Sequence, residues 1–192
     1  TALVHLLSSL KAYQEIDVKA IHINHNLSKH SAMWENHCIE TCSKLNINLI
    51  TESIEIKVDG GGLESASRKA RYRVFEKILN AGDQLLLGHH SDDVAETLFM
   101  RLLRGTGPDG MEGPKLQRSL GKGVLIRPFL EISKKQILDY LNINNIDYIE
   151  DDSNLSNDFD RNYLRNEIFP MLERKWNNFP NRINNFSKII KD

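Results

Sequence analysis

No apolar run in this chain is long enough to span a bilayer as a helix, and the first residues have no signal-peptide design. Cysteine is nearly absent. Cys38 and Cys42 are the only two in 192 residues, and their C-x3-C spacing fits neither a thiol-redox nor a zinc motif. Two plain thiols in a reducing cytoplasm are the expectation. Charge of one sign is also missing: 25 Lys and Arg against 26 Asp and Glu leave a net charge of -1. No global basic signature therefore marks a nucleic-acid binder. Repeats and low-complexity tracts are absent too. What is there is ordinary globular material, 40% hydrophobic and 27% charged, enough for one good-sized domain or one plus an appendage. The seven histidines are more than such a composition needs, and four of them fall at two telling places.

The first place is Leu85-Leu86-Leu87-Gly88-His89-His90-Ser91-Asp92-Asp93-Val94-Ala95-Glu96-Thr97. The apolar residues 85–87 read as a strand covered on both faces. Gly88 permits a sharp exit, and Ser91 is the expected N-cap of the helix that follows. Ala95, Leu98, Phe99 and Leu102 recur at helical spacing as its core stripe. Asp92 and Asp93 stand four and three residues before Glu96, so the carboxylates share one region of the helix surface. Acids in a first turn commonly just offset the helix dipole. Two imidazoles with three carboxylates at a strand end instead point to a site, in the place where open α/β sheets put their ligands. Carboxylates beside phosphates would suit magnesium better than zinc.

Residues 18–23 read as a second strand, ending in His22-Ile23-Asn24-His25-Asn26, and 47–56 as a third. Helices are expected over 1–10, 31–45, 64–81, 134–142, 163–171 and 181–191, and a short strand over 124–126. The inner face of the 31–45 helix should carry Met33, Cys38, Ile39, Cys42 and Leu45. Strands separated by helices imply an α/β fold with a parallel sheet and right-handed crossovers. Two strand ends of one parallel sheet can converge, which makes His22 and His25 partners for His89 and His90. A turn histidine with a satisfied ring is the equal alternative. Arg68 and Arg71 are three apart and could face one phosphate, or Arg68 could pair with Glu64. A helix as the first element, with no strand before it, is expected of a chain that begins inside a larger protein.

Gly105-Thr106-Gly107-Pro108-Asp109-Gly110 fits G-x-G-x-x-G, but it follows a helix and contains proline. It therefore reads as a helix stop rather than a dinucleotide fingerprint. From Arg101 to Lys135 eight basic side chains face three acidic ones. A solvated face or a polyanion contact explains that excess. Asp151 to Asn154 with Asn157-Asp158 read as an ordered turn, and Arg161 and Arg165, four apart, as one side of the helix that follows.

Taken together, these motifs resemble the tRNA(Ile)-lysidine synthetase family of the N-type (PP-loop) ATP pyrophosphatases. The stretches that carry the resemblance are 21–28, Ala70-Arg71-Tyr72, 88–97, 100–107, Arg127-Pro128-Phe129-Leu130, Asp152-Ser153-Asn154 and Arg161-Asn162-Tyr163-Leu164-Arg165 before Pro170. They cover essentially the whole chain, in order. The resemblance implies a Rossmann-like open parallel sheet flanked by helices, of the adenine nucleotide alpha hydrolase-like type. Residues 1–145 would be the catalytic domain, and 146–192 a small helical appendage leading toward tRNA-binding domains.

The activity implied has two steps. ATP adenylates the carbon-2 oxygen of the wobble cytidine of a tRNA(Ile) with a CAU anticodon, releasing pyrophosphate. The ε-amine of free L-lysine then displaces AMP. ATP and Mg2+ would be needed, and no membrane is involved; a homodimer stays open. Asp93, Glu96 and His90 would be catalytic, with Asp93 and Glu96 also holding Mg2+. His22, His25, Arg71 and His89 would bind the nucleotide, and Arg101, Arg104, Arg161 and Arg165 the tRNA. The family's phosphate loop, Ser-Gly-Gly-x-Asp-Ser, has no counterpart here; its place falls just before Thr1, so Thr1–Asp192 alone is expected to be inactive. Asn166 also departs from the pattern, where histidine is expected. The rivals are a tRNA thiolation enzyme, a domain that binds tRNA or nucleotide without catalysis, and a doubly wound domain for another phosphorylated ligand.

Overall fold

A computed structural model of the chain describes residues 1–26, 28–57, 62–151, 154 and 156–191, and all but the side chain of Lys191 among these. Leu27, Asp152 and Ser153, which belong to stretches singled out above, lie outside the described residues. The chain divides into two compact units. One comprises residues 1–85, 119–124 and 144–149; the other comprises 86–118, 125–143 and 150–192. This division differs from the single boundary expected at 145.

The first unit opens with helix α1, Ala2–Lys11, then β1, Lys19–Asn24, α2, Ser31–Lys44, and β2, Asn48–Ser53. β1 and β2 are parallel, with Lys19 opposite Asn48 and Asn24 opposite Ser53. The α2 crossover is what allows a parallel pair, because a hairpin cannot. Asn46 completes the return in the left-handed region at φ 51°, which Asn tolerates better than most residues. The expected inner face of α2 is only partly right. Cys42 is buried, but Met33 and Ile39 are exposed. A helix resting on two strands covers a narrow stripe, and the rest of its apolar surface stays outside. Helix α3, Gly62–Ile78, buries Ala66 and Phe75.

Strand β3, Gln84–Leu86, precedes α4, Ser91–Leu103, and a 3-10 turn over Pro108–Glu112. The one short strand expected over 124–126 is the second arm of a hairpin, β4, Gln117–Leu120, and β5, Gly123–Ile126. Its sheet has the order β3-β5-β4. Bonds from Val124 N–H to the Asp83 carbonyl and from Leu87 N–H to the Ile126 carbonyl advance in one sense, so β3 and β5 are parallel. Sequence reading missed β4 because Gln117-Arg118-Ser119-Leu120 is too polar and too short to show alternation.

Helix α4 ends as the sequence indicates. Gly105 is left-handed at φ 73°, its N–H bonds to the Leu102 carbonyl, and Thr106 N–H reaches the Arg101 carbonyl. That pair of bonds is a Schellman stop, which needs glycine at this position. The glycine-rich stretch after α4 is thus a helix terminus, as expected.

The rest of the second unit is helical: α5, Lys134–Ile143; α6, Asp160–Tyr163; a π turn over Leu164–Ile168; α7, Phe169–Lys175; and α8, Phe179–Lys191. The helix expected over 163–171 is interrupted because Pro170 has no N–H to donate. Instead, Phe169 N–H reaches back five residues to the Leu164 carbonyl. Val94, Leu98 and Met111 form one core cluster, against which Leu130, Ile183 and Ile190 pack. Ala95, Leu164 and Phe169 form another, with Phe99, Phe179 and Ile183 against it. The core stripe of α4 is therefore Val94, Ala95 and Leu98; Leu102, expected in it, is 50% exposed one turn beyond the α8 contact.

Candidate functional site

The site in the second unit grows from the first turn of α4. Ser91 is not the N-cap. It is the first helical residue, and the cap is His90, whose extended backbone at φ -119°, ψ 177° is the usual cap conformation. Asp93 N–H donates to His90 Nδ1 at 3.4 Å, and His90 N–H donates to Asp93 Oδ2 at 3.0 Å. This is a capping box with an imidazole in place of a hydroxyl. The ring lies between two carboxylates, with Nε2 3.5 Å from Asp93 Oδ2 and Nδ1 3.6 Å from Asp92 Oδ2. The His-x-x-Asp spacing could have revealed the box in the sequence.

Asp92 stands beside that box, its Oδ2 3.6 Å from His90 Nδ1. Its Oδ2 accepts from the Lys134 N–H at 2.8 Å and so caps α5. Burial alone would raise its carboxyl; the His90 ring and the Lys134 amide outweigh that and hold it at about 2, below its ordinary 3.8. A depressed carboxyl contributes stability that is present above its unfolded value and lost as pH falls through the folded one. Acid destabilisation between about pH 4 and 2 should accordingly be shallower in Asp92→Asn than in the parent, a difference read from melting temperature against pH.

Glu96 is the centre of the site. One turn inside α4, it is 1% exposed, the most buried charged group among the described residues. A lone buried carboxylate would be prohibitively costly. Two guanidiniums resolve that cost. Arg165 Nε donates to Glu96 Oε1 at 2.6 Å and Arg165 Nη2 to Oε2 at 2.9 Å. Arg161 Nε donates to Oε2 at 2.6 Å, and its Nη2 reaches Asp93 Oδ1 at 3.1 Å and the Asp93 carbonyl at 3.3 Å. Burial works against the Arg165 charge, but Glu96 and then Asp93 more than offset it and push Arg165 up. Two carboxylates and two guanidiniums thus form one compensated cluster. Asparagines tie the loop before it to the same helix: Asn162 Nδ2 donates to the Ser156 carbonyl, and Asn166 Nδ2 to the Asn154 carbonyl and Asn157 Oδ1. Asn166, the departure from the family pattern, is therefore a loop clasp.

The expectation that Asp93 and Glu96 hold Mg2+ does not fit this geometry and is corrected here. Both Glu96 oxygens are taken by guanidiniums. One Asp93 oxygen caps α4 and the other faces Arg161. A divalent cation would meet two fixed positive charges and no spare oxygen pair, and no cluster of three or more metal-ligating side chains occurs among the described residues.

Of the arginines expected to meet tRNA, Arg161 and Arg165 lie in this cluster. Arg101 donates from Nη1 to the Gly110 carbonyl at 2.7 Å, fastening the loop after α4, whereas Arg104 is exposed. Arg127, counted in the basic stretch, is buried and donates to the Lys115 carbonyl at 2.7 Å. Part of that basic excess is loop fastening rather than surface charge. His89 also lies in this unit.

The other expected residues, His22, His25 and Arg71, lie in the first unit. His22 Nδ1 is 3.5 Å from Cys38 Sγ. Burial lowers the His25 imidazole, and the charges of Arg71 and His22 lower it further. Arg71 is likewise lowered by burial and by neighbouring Arg68. His25 Nδ1 and Arg71 Nε are both buried with no hydrogen-bond partner. Unsatisfied nitrogens beside like charges suit an anion.

Comparison with known proteins agrees with the residues. The chain matches the PP-loop domain over residues 1–172. It is 41% identical over 91% of its length to a tRNA(Ile)-lysidine synthase of Coxiella burnetii, covering 39% of that protein. It is 39% identical over its whole length to the protein of the same name from Pseudomonas putida, covering 44% of it. The chain thus spans about two fifths of the length of the curated relatives it matches. Among solved structures it resembles a U34-tRNA thiolase of Methanococcus maripaludis with a [4Fe-4S] cluster, at a TM-score of 0.73 and 17% identity, covering 99% of this chain and 67% of the other. That likeness shows a shared fold. With the strand-end histidines, the capped acidic turn and the Arg-Asn-x-x-Arg run in their expected order, the chain belongs to the PP-loop domain family.

Proposed function

We propose that this chain is the ATP-using part of a tRNA(Ile)-lysidine synthase. The observation that carries the reading is its likeness to proteins of that name, 41% identical over 91% of the chain. In this reading ATP transfers AMP to the carbon-2 oxygen of the wobble cytidine of a CAU-anticodon tRNA(Ile), and pyrophosphate leaves. The ε-amine of free L-lysine then attacks carbon 2, the carbon–oxygen bond breaks, AMP departs, and the amine loses a proton to a base.

The roles in this reading fall to residues of both units, each taken by itself. Arg71 and His25, with His22, would hold a phosphate, since buried nitrogens on the first two have no other partner. Asp93, 19% exposed against 1% for Glu96, is the more accessible carboxylate and would take the proton of an incoming amine. His90 and His89 would border the reacting atoms. Arg104 would meet tRNA phosphate, and Arg161, 30% exposed, would face a substrate anion. Mg2+, which ATP chemistry commonly uses, would sit elsewhere than on the Asp93–Glu96 pair. The thiolation alternative is disfavoured because Cys38 and Cys42 are the only cysteines and form no C-x-x-C pair, and the thiolase likeness, at 17% identity, is one of fold.

Incubation of the full-length protein with this tRNA, ATP and radiolabelled lysine should place label on the tRNA. The label should depend on ATP and disappear when the wobble cytidine is changed to uridine. Unlabelled tRNA under these conditions would overturn the reading. Asp93→Asn should cut labelling by about 100-fold if the carboxylate takes the amine's proton.

A further inference from the structure

We infer that Arg165 is a positioning residue, which fixes Glu96 and through it the outward-facing pair Arg161 and Asp93. The inference rests on the proposed ligase reading for its kinetic arm alone. The hydrogen bonds run from Arg165 through Glu96 and Arg161 to Asp93, whose Oδ1 Arg165 Nη2 faces directly only at 3.7 Å, beyond hydrogen-bond reach. Arg165 grips both oxygens of Glu96 as a fork, 2.6 and 2.9 Å. Glu96 Oε2 holds Arg161 Nε at 2.6 Å, Arg161 Nη2 holds Asp93 Oδ1 at 3.1 Å, and Asp93 Oδ2 closes the cap on His90. Glu96 is too deeply buried to touch a ligand. It serves as the post to which two arginines are tied. Arg165 supplies two parallel bonds to that post, whereas Arg161 supplies one and spends its other end on Asp93. The fork therefore sets where the carboxylate sits, and Arg161 follows it.

The π turn belongs to the same device. Leu164 and Phe169, five apart, both sit against Ala95. An α-helix would point them about 140° apart, at 3.6 residues per turn. The wider turn brings both onto the core, and Arg165, one residue after Leu164, is anchored between those contacts on the Glu96 side. π turns of this kind recur at functional sites.

Lysine at 165 keeps the charge and loses the fork. In the full-length protein Arg165→Lys should lower kcat for lysidine formation by about 100-fold, the scale of a small misplacement of a reacting group. KM for tRNA and its salt slope should stay near the parent's, because a lost phosphate contact would instead reduce that slope by about one. The second readout needs no activity. With 15N-labelled arginine, the Nε–H of Arg161 should exchange faster in Arg165→Lys than in the parent, although Arg161 itself is untouched. An unchanged Arg161 exchange rate, a parent-like kcat, or a loss confined to KM and the salt slope would each overturn the inference. If Arg165→Lys does not fold, the double variant Glu96→Gln/Arg165→Gln removes the buried charge pair together. It should again show faster Arg161 exchange, and a parent-like rate would overturn the inference. A parent enzyme that forms no lysidine would sink the ligase reading alone; the exchange measurement would still decide the role of Arg165.

Discussion

Glu96→Ala should destabilise the full-length protein by about 3–5 kcal/mol, the cost of breaking a buried ion pair from one side. Three short charge-assisted bonds end on this carboxylate, at 2.6, 2.6 and 2.9 Å. Its removal leaves Arg161 and Arg165 with only Asp93 for compensation. Two half-buried guanidiniums sharing one carboxylate must let solvent in or move apart. Glu96→Gln should be milder, because the amide keeps an acceptor oxygen, yet its NH2 group would point at a guanidinium. The ordering parent, Gln, Ala in urea midpoint is the expected result. An Ala variant as stable as the parent would mean that the cluster contributes nothing to the fold.

The same residue shows how far the sequence could be read. Spacing alone placed Glu96 and Asp93 on one region of α4, and the Arg-Asn-x-x-Arg run placed Arg161 and Arg165 on one side of a later helix. What spacing could not supply was the pairing between them across 65 and 69 residues. Opposite charges at such separation read equally well as two ligand sites, so carboxylates were expected to face a metal and arginines a nucleic acid. Burial was the missing quantity. An acid inside a run of Val94, Ala95 and Leu98 had a clue in its neighbours, since a charge flanked by core residues must find a partner. The parallel β1–α2–β2 unit and the Schellman stop at Gly105 were legible because each has a local cause. The β4–β5 hairpin and the π turn were not: one lacks alternation, and the other depends on Pro170 acting together with core contacts.

Phe169→Ala should cost the full-length protein about 3–5 kcal/mol, as expected for a buried ring replaced by a methyl group in a site that cannot collapse. Collapse is blocked by the neighbours. Phe99, Phe169 and Phe179 meet edge to face in a closed triangle, with centroids 5.6, 5.8 and 5.4 Å apart and planes at 86°, 81° and 74°. Each such pair adds roughly 0.5–1.5 kcal/mol beyond buried area. Removing Phe169 breaks two of the three contacts and leaves Phe99 on α4 and Phe179 on α8 with a gap between them. The loss should also be felt at the charge cluster. Phe169 closes the π turn by its N–H and anchors it by its ring, and Arg165 is carried by that turn. On the proposed ligase reading, the variant should therefore lose lysidine formation more steeply than its remaining folded fraction accounts for. Phe186→Ala, on the exposed side of the same α8, is the control and should stay within about 0.5 kcal/mol of the parent. If the two substitutions lower the urea midpoint equally, the aromatic triangle is not what holds the π turn, and Arg165 must owe its place to Glu96 alone.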